Sequence, residues 1–194
     1  DATRVQLPDA DVLGSLQIGD RILLNDGKIE MRVDFASPER VDATVIHGTE
    51  IWSRRGFNLP DTEISTSVLT EKDRADLEYA ITKKPDCVAI SFVQRPEDIA
   101  EVRDFITQRT SHPIKIIAKI ERPNAVERIC EIAAAADGIM IARGDLAVEV
   151  PFQEVPAISR CIIRECRKMN KPVIVATQML GSMIASEFPT RAEI

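Results

Sequence analysis

The sequence predicts an α/β chain whose larger part is a parallel sheet covered by helices. Residues 61–194 alternate helical and strand patterns through four β/α units. Their strand runs, 87–93, 114–120, 138–142 and 172–177, are apolar on both faces, as in strands buried on both sides of a parallel sheet. Before Asn58-Leu59-Pro60 the rhythm differs, with short strands separated by turn signals. We therefore place a partial β module in residues 1–60 and an α/β domain in residues 61–194.

In the β module, Arg21–Leu24 reads as a strand and Asn25-Asp26-Gly27 as a hairpin turn, Asp-Gly being the strongest short-range hairpin signal. Residues 28–33 form the return strand, and Val41–His47 another. In the α/β domain, Thr70-Glu71-Lys72-Asp73 has the spacing of a capping box opening a helix, with Leu77, Ala80 and Ile81 as its buried stripe. Pro96 suits the first position of the next helix, where Ile99, Val102, Phe105 and Ile106 recur at helical spacing. Pro123 opens a third helix, with Val126, Ile129, Cys130 and Ala133 on one side. Val155, Ile158, Ile162 and Met169 mark a fourth, which Asn170 ends. A last helix is expected from about Met179.

Two architectures satisfy this order: an open doubly wound sheet and a (β/α)₈ barrel. No GxGxxG or GxxxxGK loop follows any strand, which weakens the nucleotide-binding open sheet. A barrel needs eight strands and roughly 250 residues, so a barrel reading makes this chain a partial one. The chain does not begin with Met, and we expect a processed, trimmed or excised piece.

Composition narrows the function. The 194 residues carry a net charge of −6 and show no basic run with interleaved aromatics, which argues against nucleic-acid or acidic-membrane binding. The apolar runs are too short to span a bilayer. Cys87, Cys130, Cys161 and Cys166 form no CxxC pair and sit among apolar neighbours; we expect reduced, mostly buried thiols of a cytosolic protein. His47 and His112 are not spaced for zinc. Two histidines and no serine elbow argue against a Ser-His-Asp hydrolase.

Residues with chemical potential gather at strand ends. In Lys115-Ile116-Ile117-Ala118-Lys119-Ile120-Glu121 the odd positions share one face and the even positions, all apolar, share the other. Lys119 and Glu121 thus stand together at the strand's C-terminal end, where barrels carry catalytic groups; the alternative is a surface ion pair on an edge strand. One unit later, Asp145 follows the strand ending in Ile141-Ala142. Adjacent strands lie about 4.8 Å apart, so Glu121 and Asp145 can converge on one hard cation, Mg²⁺ or Mn²⁺ rather than zinc. Gly144 lets the backbone approach a ligand and present its N–H; alternatively the stretch is a tight turn whose Asp caps the next helix. Thr177 ends the following strand, as a ligand-binding or proton-donating hydroxyl or as an ordinary capping threonine. A cation, two carboxylates and a hydroxyl suit an enolate or a transferring phosphoryl group.

Ala118-Lys119-Ile120-Glu121, Ile141-Ala142-Arg143-Gly144-Asp145-Leu146 and Ala176-Thr177-Gln178-Met179-Leu180 resemble, in order and spacing, the signature strand ends of pyruvate kinases. Ser91-Phe92-Val93, Pro189-Thr190-Arg191-Ala192-Glu193, Asp26-Gly27-Lys28-Ile29 and Arg55-Gly56-Phe57-Asn58-Leu59-Pro60 add to the resemblance, which spans essentially the whole chain. It implies barrel strands four to seven of a TIM barrel behind part of a mobile β lid. It also implies transfer of the phosphoryl group of phosphoenolpyruvate to ADP, giving pyruvate and ATP, in cytoplasmic glycolysis. By the same resemblance, Lys119 and Thr177 are the catalytic residues, and Lys119, Gly144, Asp145 and Thr177 bind substrate. Glu121 and Asp145 hold Mg²⁺ or Mn²⁺, Arg55 contacts a nucleotide phosphate from the lid, and Asp26 faces the nucleotide's metal when the lid closes. A K⁺ site, a substrate-binding arginine, the remaining strands and a regulatory domain would lie outside these residues, and the parent would be a homotetramer.

The sequence departs from the family at Asn25, where Asp is common, at Ala147, where Gly is common, and at Gly181, where a usual Glu is replaced in the first turn of the last helix. The last change should weaken that helix. Two rivals stand beside this reading. A citrate-lyase or aldolase-type carbon–carbon lyase also sets a Glu and an Asp around Mg²⁺, but Lys119 beside Glu121 and the β lid favour the kinase. A non-catalytic half barrel would instead pair its open sheet edges with other chains.

Overall fold

Asn25, Asp26 and Gly27 have φ of 53°, 57° and 78°, the left-handed region that Asn, Asp and Gly tolerate best. They fold the chain back into a hairpin. The computed structural model describes residues 10–51, 56–62, 67–177 and 179–194. In it β1 (Arg21–Leu24) pairs antiparallel with β2 (Ile29–Ala36), Leu24 opposite Ile29. β2 continues past the expected end at Val33 because β3 (Val41–His47) offers it backbone partners as far as Ala36, with an irregularity between Val33 and Phe35. The short β4 (Phe57–Asn58) closes the sheet in the order β3-β2-β1-β4. Val12 and Leu16, from and just after α1 (Ala10–Ser15), pack with Ile22, Leu24, Ile29, Val33 and Leu59 into a core of their own. The chain divides into two compact units, residues 1–67 and 68–194, each with its own core.

The second unit opens on the capping box. The Asp73 N–H donates to Thr70 Oγ1 at 3.1 Å and the Thr70 N–H donates to Asp73 Oδ2 at 3.0 Å, starting α2 (Glu71–Thr82). There follow β5 (Cys87–Ile90), α3 (Pro96–Thr107), β6 (Lys115–Ile120), α4 (Pro123–Glu127), α5 (Ile129–Ala135), β7 (Gly138–Ala142), α6 (Arg143–Glu149), α7 (Val155–Lys168) and β8 (Val173–Ala176). The four strands are parallel, in the order β5-β6-β7-β8. No strand order reverses, as it would at the switch point of a doubly wound sheet. Helix α3 packs on α5 and α5 on α7, so successive crossovers lie side by side. Ile116, Ala118, Ile120, Ile139 and Ile141 are fully buried with Ile99, Val102, Ile132 and Ile162. On the other set of β6 positions Lys115 is exposed and Ile117 and Lys119 are half-buried, which is the alternation read from the sequence.

Several expectations need correction. The apolar run 87–93 leaves the sheet at Ile90, because Phe92 turns into the left-handed region (φ 57°). The helix from Pro123 breaks at Arg128 (φ −97°, ψ 19°) into α4 and α5. The break shifts the helical phase, so Ile129, Ile132 and Ala133 are buried while Cys130 is exposed. The cysteines are not mostly buried. Cys87, at the start of the outermost strand, is exposed like Cys130, Cys161 is half-buried, and only Cys166 is buried. Burial pushes the Cys166 thiol up from its ordinary value. The helix expected near Met179 is a single 3₁₀ turn, Gly181–Ile184.

Glu193 organises the chain around that turn. Its carboxylate accepts from the Ser182 N–H (2.8 Å) and hydroxyl (2.5 Å) and from the Thr190 N–H (2.7 Å) and hydroxyl (2.8 Å). These donors lower its pKa from 4.5 to about 2. A carboxyl depressed on folding contributes stability above its unfolded pKa and loses it as pH falls through the folded one. The Ser182 and Thr190 amides are therefore expected to be protected from hydrogen exchange above pH about 4.5 and to lose that protection toward pH about 2. In Glu193→Gln the same amides should exchange with no such transition.

At Gly138, the first residue of β7, the neighbours leave no room for a side chain. A Cβ there would lie 2.8 Å from Ile117 Cδ1 and 3.1 Å from Pro172 Cγ. Gly138→Ala is expected to lower stability by about 1–3 kcal/mol, the usual cost of overpacking, read as a fall in the urea midpoint at unchanged slope.

Candidate active site

β6 is flanked by β5 and β7, so Lys119 and Glu121 do not stand on an edge strand. Its even positions face the helices, which leaves the odd ones to run toward the C-terminal rim. Lys119 Nζ lies 2.7 Å from Glu121 Oε1 and donates to Ser91 Oγ at 2.8 Å. The Phe92 N–H donates to Glu121 Oε2 at 2.6 Å. Glu121 is 2% exposed, a burial that a carboxylate sustains only with a counter-charge and donors. Lys119 is the counter-charge. The left-handed turn at Phe92, uncommon for an aromatic residue, aims the second donor.

One strand along, α6 starts directly where β7 ends, with Arg143 next after Ala142. The sequence reading made this stretch a strand end or tight turn. Instead Asp145 sits in the first turn of α6, where the helix dipole favours an anion. It is exposed and makes no hydrogen bond or ion pair among the described residues. Ile120 pairs with Ile141, which brings Glu121 level with Ala142 and so near the start of α6.

Thr177 follows β8 with φ 66°, and its Oγ1 accepts the Gly144 N–H at 2.9 Å. The Gly144 N–H, expected to face a ligand, is thus taken by the Thr177 hydroxyl, which caps α6 from the next strand. Asp26 is exposed at the tip of the β1–β2 hairpin in the other unit. Arg55 and Gln178 lie outside the described residues.

These carboxylates offer oxygen donors only. Each Glu121 oxygen accepts one described donor and keeps a second lone pair. Among the described residues no group of three or more His, Cys, Asp or Glu side chains is placed to hold a metal. An ion here would take its other ligands from water, substrate or backbone, the habit of Mg²⁺ and Mn²⁺. The residues present fit such an ion and not zinc.

Sequence reading gave no role to Ser91, Gln94, Arg122 or Glu149. Arg122 and Glu149 form a buried ion pair at 3.2 Å, and Gln94 Oε1 accepts from Arg122 Nη1 at 3.3 Å and Asn124 Nδ2 at 2.8 Å. The available signal was adjacency, since Ser91 and Arg122 lie within or beside the recognised motifs. A cavity of about 500 Å³ opens at the opposite end of β6, lined by Arg103, His112, Lys115 and Asp137 among others; none of the proposed site residues lines it. No helix of the described residues is long and apolar enough to cross a membrane.

The family model described as pyruvate kinase, barrel domain, matches residues 1–194. A pyruvate kinase of Methylorubrum extorquens is 46% identical over 194 residues, covering 100% of this chain and 40% of that protein. One of Geobacillus stearothermophilus is 40% identical over 192 residues, covering 98% of this chain and 33% of that one. A crystal structure of a pyruvate kinase from Cryptosporidium parvum superposes with a TM-score of 0.87 at 36% identity, covering 95% of this chain and 39% of that one. The chain thus spans between a third and two fifths of the length of these relatives. With the family model matching the whole chain and relatives at 36–46% identity, the chain belongs to the pyruvate kinase barrel-domain family.

Proposed function

We propose that this chain carries the phosphoryl-transfer site of a pyruvate kinase, in which phosphoenolpyruvate and ADP give pyruvate and ATP. The observation that supports it most is the Lys119–Glu121 pair, 2.7 Å apart at the end of an inner strand, with Asp145 in the first turn of the helix that follows the neighbouring strand β7. In this reading β5 to β8 are strands four to seven of a TIM barrel, and the N-terminal sheet is part of the β lid.

The reaction breaks the bond from phosphorus to the enol oxygen, forms one to a β-phosphate oxygen of ADP, and leaves an enolate that takes a proton at its methylene carbon. Lys119 places a positive charge at the rim, where negative charge spreads over the transferring phosphoryl oxygens and the enolate. Glu121 and Asp145 would hold the divalent ion, which supplies charge neutralisation when bound. The backbone groups of Gly144 and Asp145, with the Thr177 hydroxyl, would seat the substrate carboxylate, exchanging the present Gly144–Thr177 bond for bonds to substrate. Thr177 would pass the proton toward the enolate. Asp26 and Arg55 would approach the nucleotide from the lid. Cytoplasmic glycolysis, K⁺ dependence through a site outside these residues and a homotetrameric parent complete the reading. The family placement does not favour the lyase.

The isolated 194-residue chain is expected to turn over phosphoenolpyruvate, ADP and Mg²⁺ at no measurable rate, because the substrate-binding arginine that the resemblance implies lies outside it. A lactate dehydrogenase-coupled assay tests this, and robust turnover by the purified chain would refute it. In a full-length protein carrying this sequence, Thr177→Val should slow proton exchange at the methyl group of pyruvate more than it slows phosphoryl transfer. Equal losses in both would count against the assigned proton role.

A further inference from the structure

A buried polar network joins the segments that follow β5 and β6 to the last residue of α6, and no step of the reaction calls on it. Arg122 directly follows Glu121 in extended backbone (φ −128°, ψ 152°), so the two side chains leave the chain on opposite sides. Its Nε lies 3.2 Å from Glu149 Oε2, both side chains being almost fully buried at 5% and 3% exposure. Its Nη1 donates to Gln94 Oε1 at 3.3 Å, which also accepts from Asn124 Nδ2 at 2.8 Å. Gln94 lies on the segment after β5, close behind the Ser91 hydroxyl and the Phe92 N–H that hold Lys119 and Glu121. Glu149 is the last residue of α6, four positions after Asp145, and residues four apart share one face of a helix.

We infer that Gln94, Arg122 and Glu149 are positioning residues, which fix the segments bearing Ser91 and Phe92, Glu121, and Gly144 and Asp145 in one arrangement so that two carboxylates, one just past β6 and one in the first turn of α6, meet a single divalent ion. The inference rests on the proposed metal role of Glu121 and Asp145. A buried ion pair is poor evidence of stability, since apolar replacement of both partners is often neutral or stabilising. What the pair supplies is register. It ties β6 to the far end of α6, and Gln94 ties the same guanidinium to the β5 end. Partners that orient metal ligands typically carry 10–100-fold of metal affinity.

The test is Mn²⁺ binding, followed by electron paramagnetic resonance, to a full-length protein carrying this sequence. Arg122→Met with Glu149→Leu together is expected to keep the melting temperature near that of the unsubstituted protein while weakening Mn²⁺ binding roughly 10–100-fold. Gln94→Met leaves both ion-pair partners in place at a half-buried position, so it folds whether or not the double variant does; it is expected to weaken binding several-fold. Mn²⁺ affinity unchanged in Gln94→Met, or in a folded double variant, would overturn the inference. Glu121→Gln serves as the control for the underlying reading. If it leaves Mn²⁺ affinity unchanged, the metal assignment itself has failed. If it weakens binding while the network variants do not, only the positioning role has failed.

Discussion

Lys119→Met in a full-length protein carrying this sequence is expected to lower kcat for phosphoryl transfer by about 10³ while Mn²⁺ affinity is retained or rises. The ammonium is the only cationic partner of Glu121 among the described contacts, at 2.7 Å, and it is held a second time by Ser91 Oγ at 2.8 Å. Two fixed contacts keep it at the rim without reorganisation at the moment of reaction, the condition under which a charge is worth most in a transition state. Losing one preorganised donor of this kind costs ~10²–10³ in kcat, and loss of a full positive charge places the effect at the upper end. Methionine matches the length of the stem and does not withdraw a metal ligand. It also frees Glu121 Oε1 from its competing cation, so the metal site should bind at least as well. Steady-state kinetics paired with Mn²⁺ titration separate the two effects. A parallel fall in both would mean that Lys119 acts by holding Glu121 rather than on the phosphoryl group.

Glu121→Gln is expected to have the opposite profile, weakening Mn²⁺ binding and turnover together. A bound divalent ion contributes several kcal/mol of charge stabilisation, and about 4 kcal/mol corresponds to ~10³ in rate. The amide keeps the shape of the side chain and an acceptor for the Phe92 N–H, so the left-handed turn at Phe92 should persist. It does not keep the charge that offsets Lys119, so this 25%-exposed ammonium is left facing a neutral partner. Raising the Mn²⁺ concentration should restore part of the rate, which it cannot do for Lys119→Met. The two substitutions are therefore distinguishable by metal rescue in one assay.

Much of both units was legible because the information is local and periodic. The alternation through Lys115–Ile120, the capping box at Thr70 and Asp73 and the Asp26-Gly27 turn each state their structure within a few residues, and the structure has all three. What escaped was set by contacts far along the chain. Helix α6 has no side-chain cap of its own at Ala142; its cap comes from Thr177, 33 residues after the Gly144 whose N–H it accepts, so the stretch reads as a turn. The departure of Phe92 from the sheet is tied to Glu121, 29 residues on, and an apolar run such as Ser91-Phe92-Val93 shows no sign of it. The break at Arg128 was hidden because both halves continue an apolar pattern, and only the exposure of Cys130 shows the change of phase. The same holds at the site. The Lys119–Glu121 contact follows from the alternation of β6, whereas Asp145 lies in a helix rather than at a strand end, and the Ser91 contact and the Arg122–Glu149–Gln94 network exist only once the segments after β5 and β6 and helix α6 are brought together.

The most direct test of the account is where the ion sits. Crystals of a full-length protein carrying this sequence, soaked with Mn²⁺ and measured at the manganese absorption edge, should show one anomalous peak with a Glu121 oxygen and an Asp145 oxygen both in its coordination shell, at about 2.1 Å as for comparable hard cations. A peak bound by only one of these carboxylates, or by neither, would contradict the claim that the ends of β6 and β7 share a single metal.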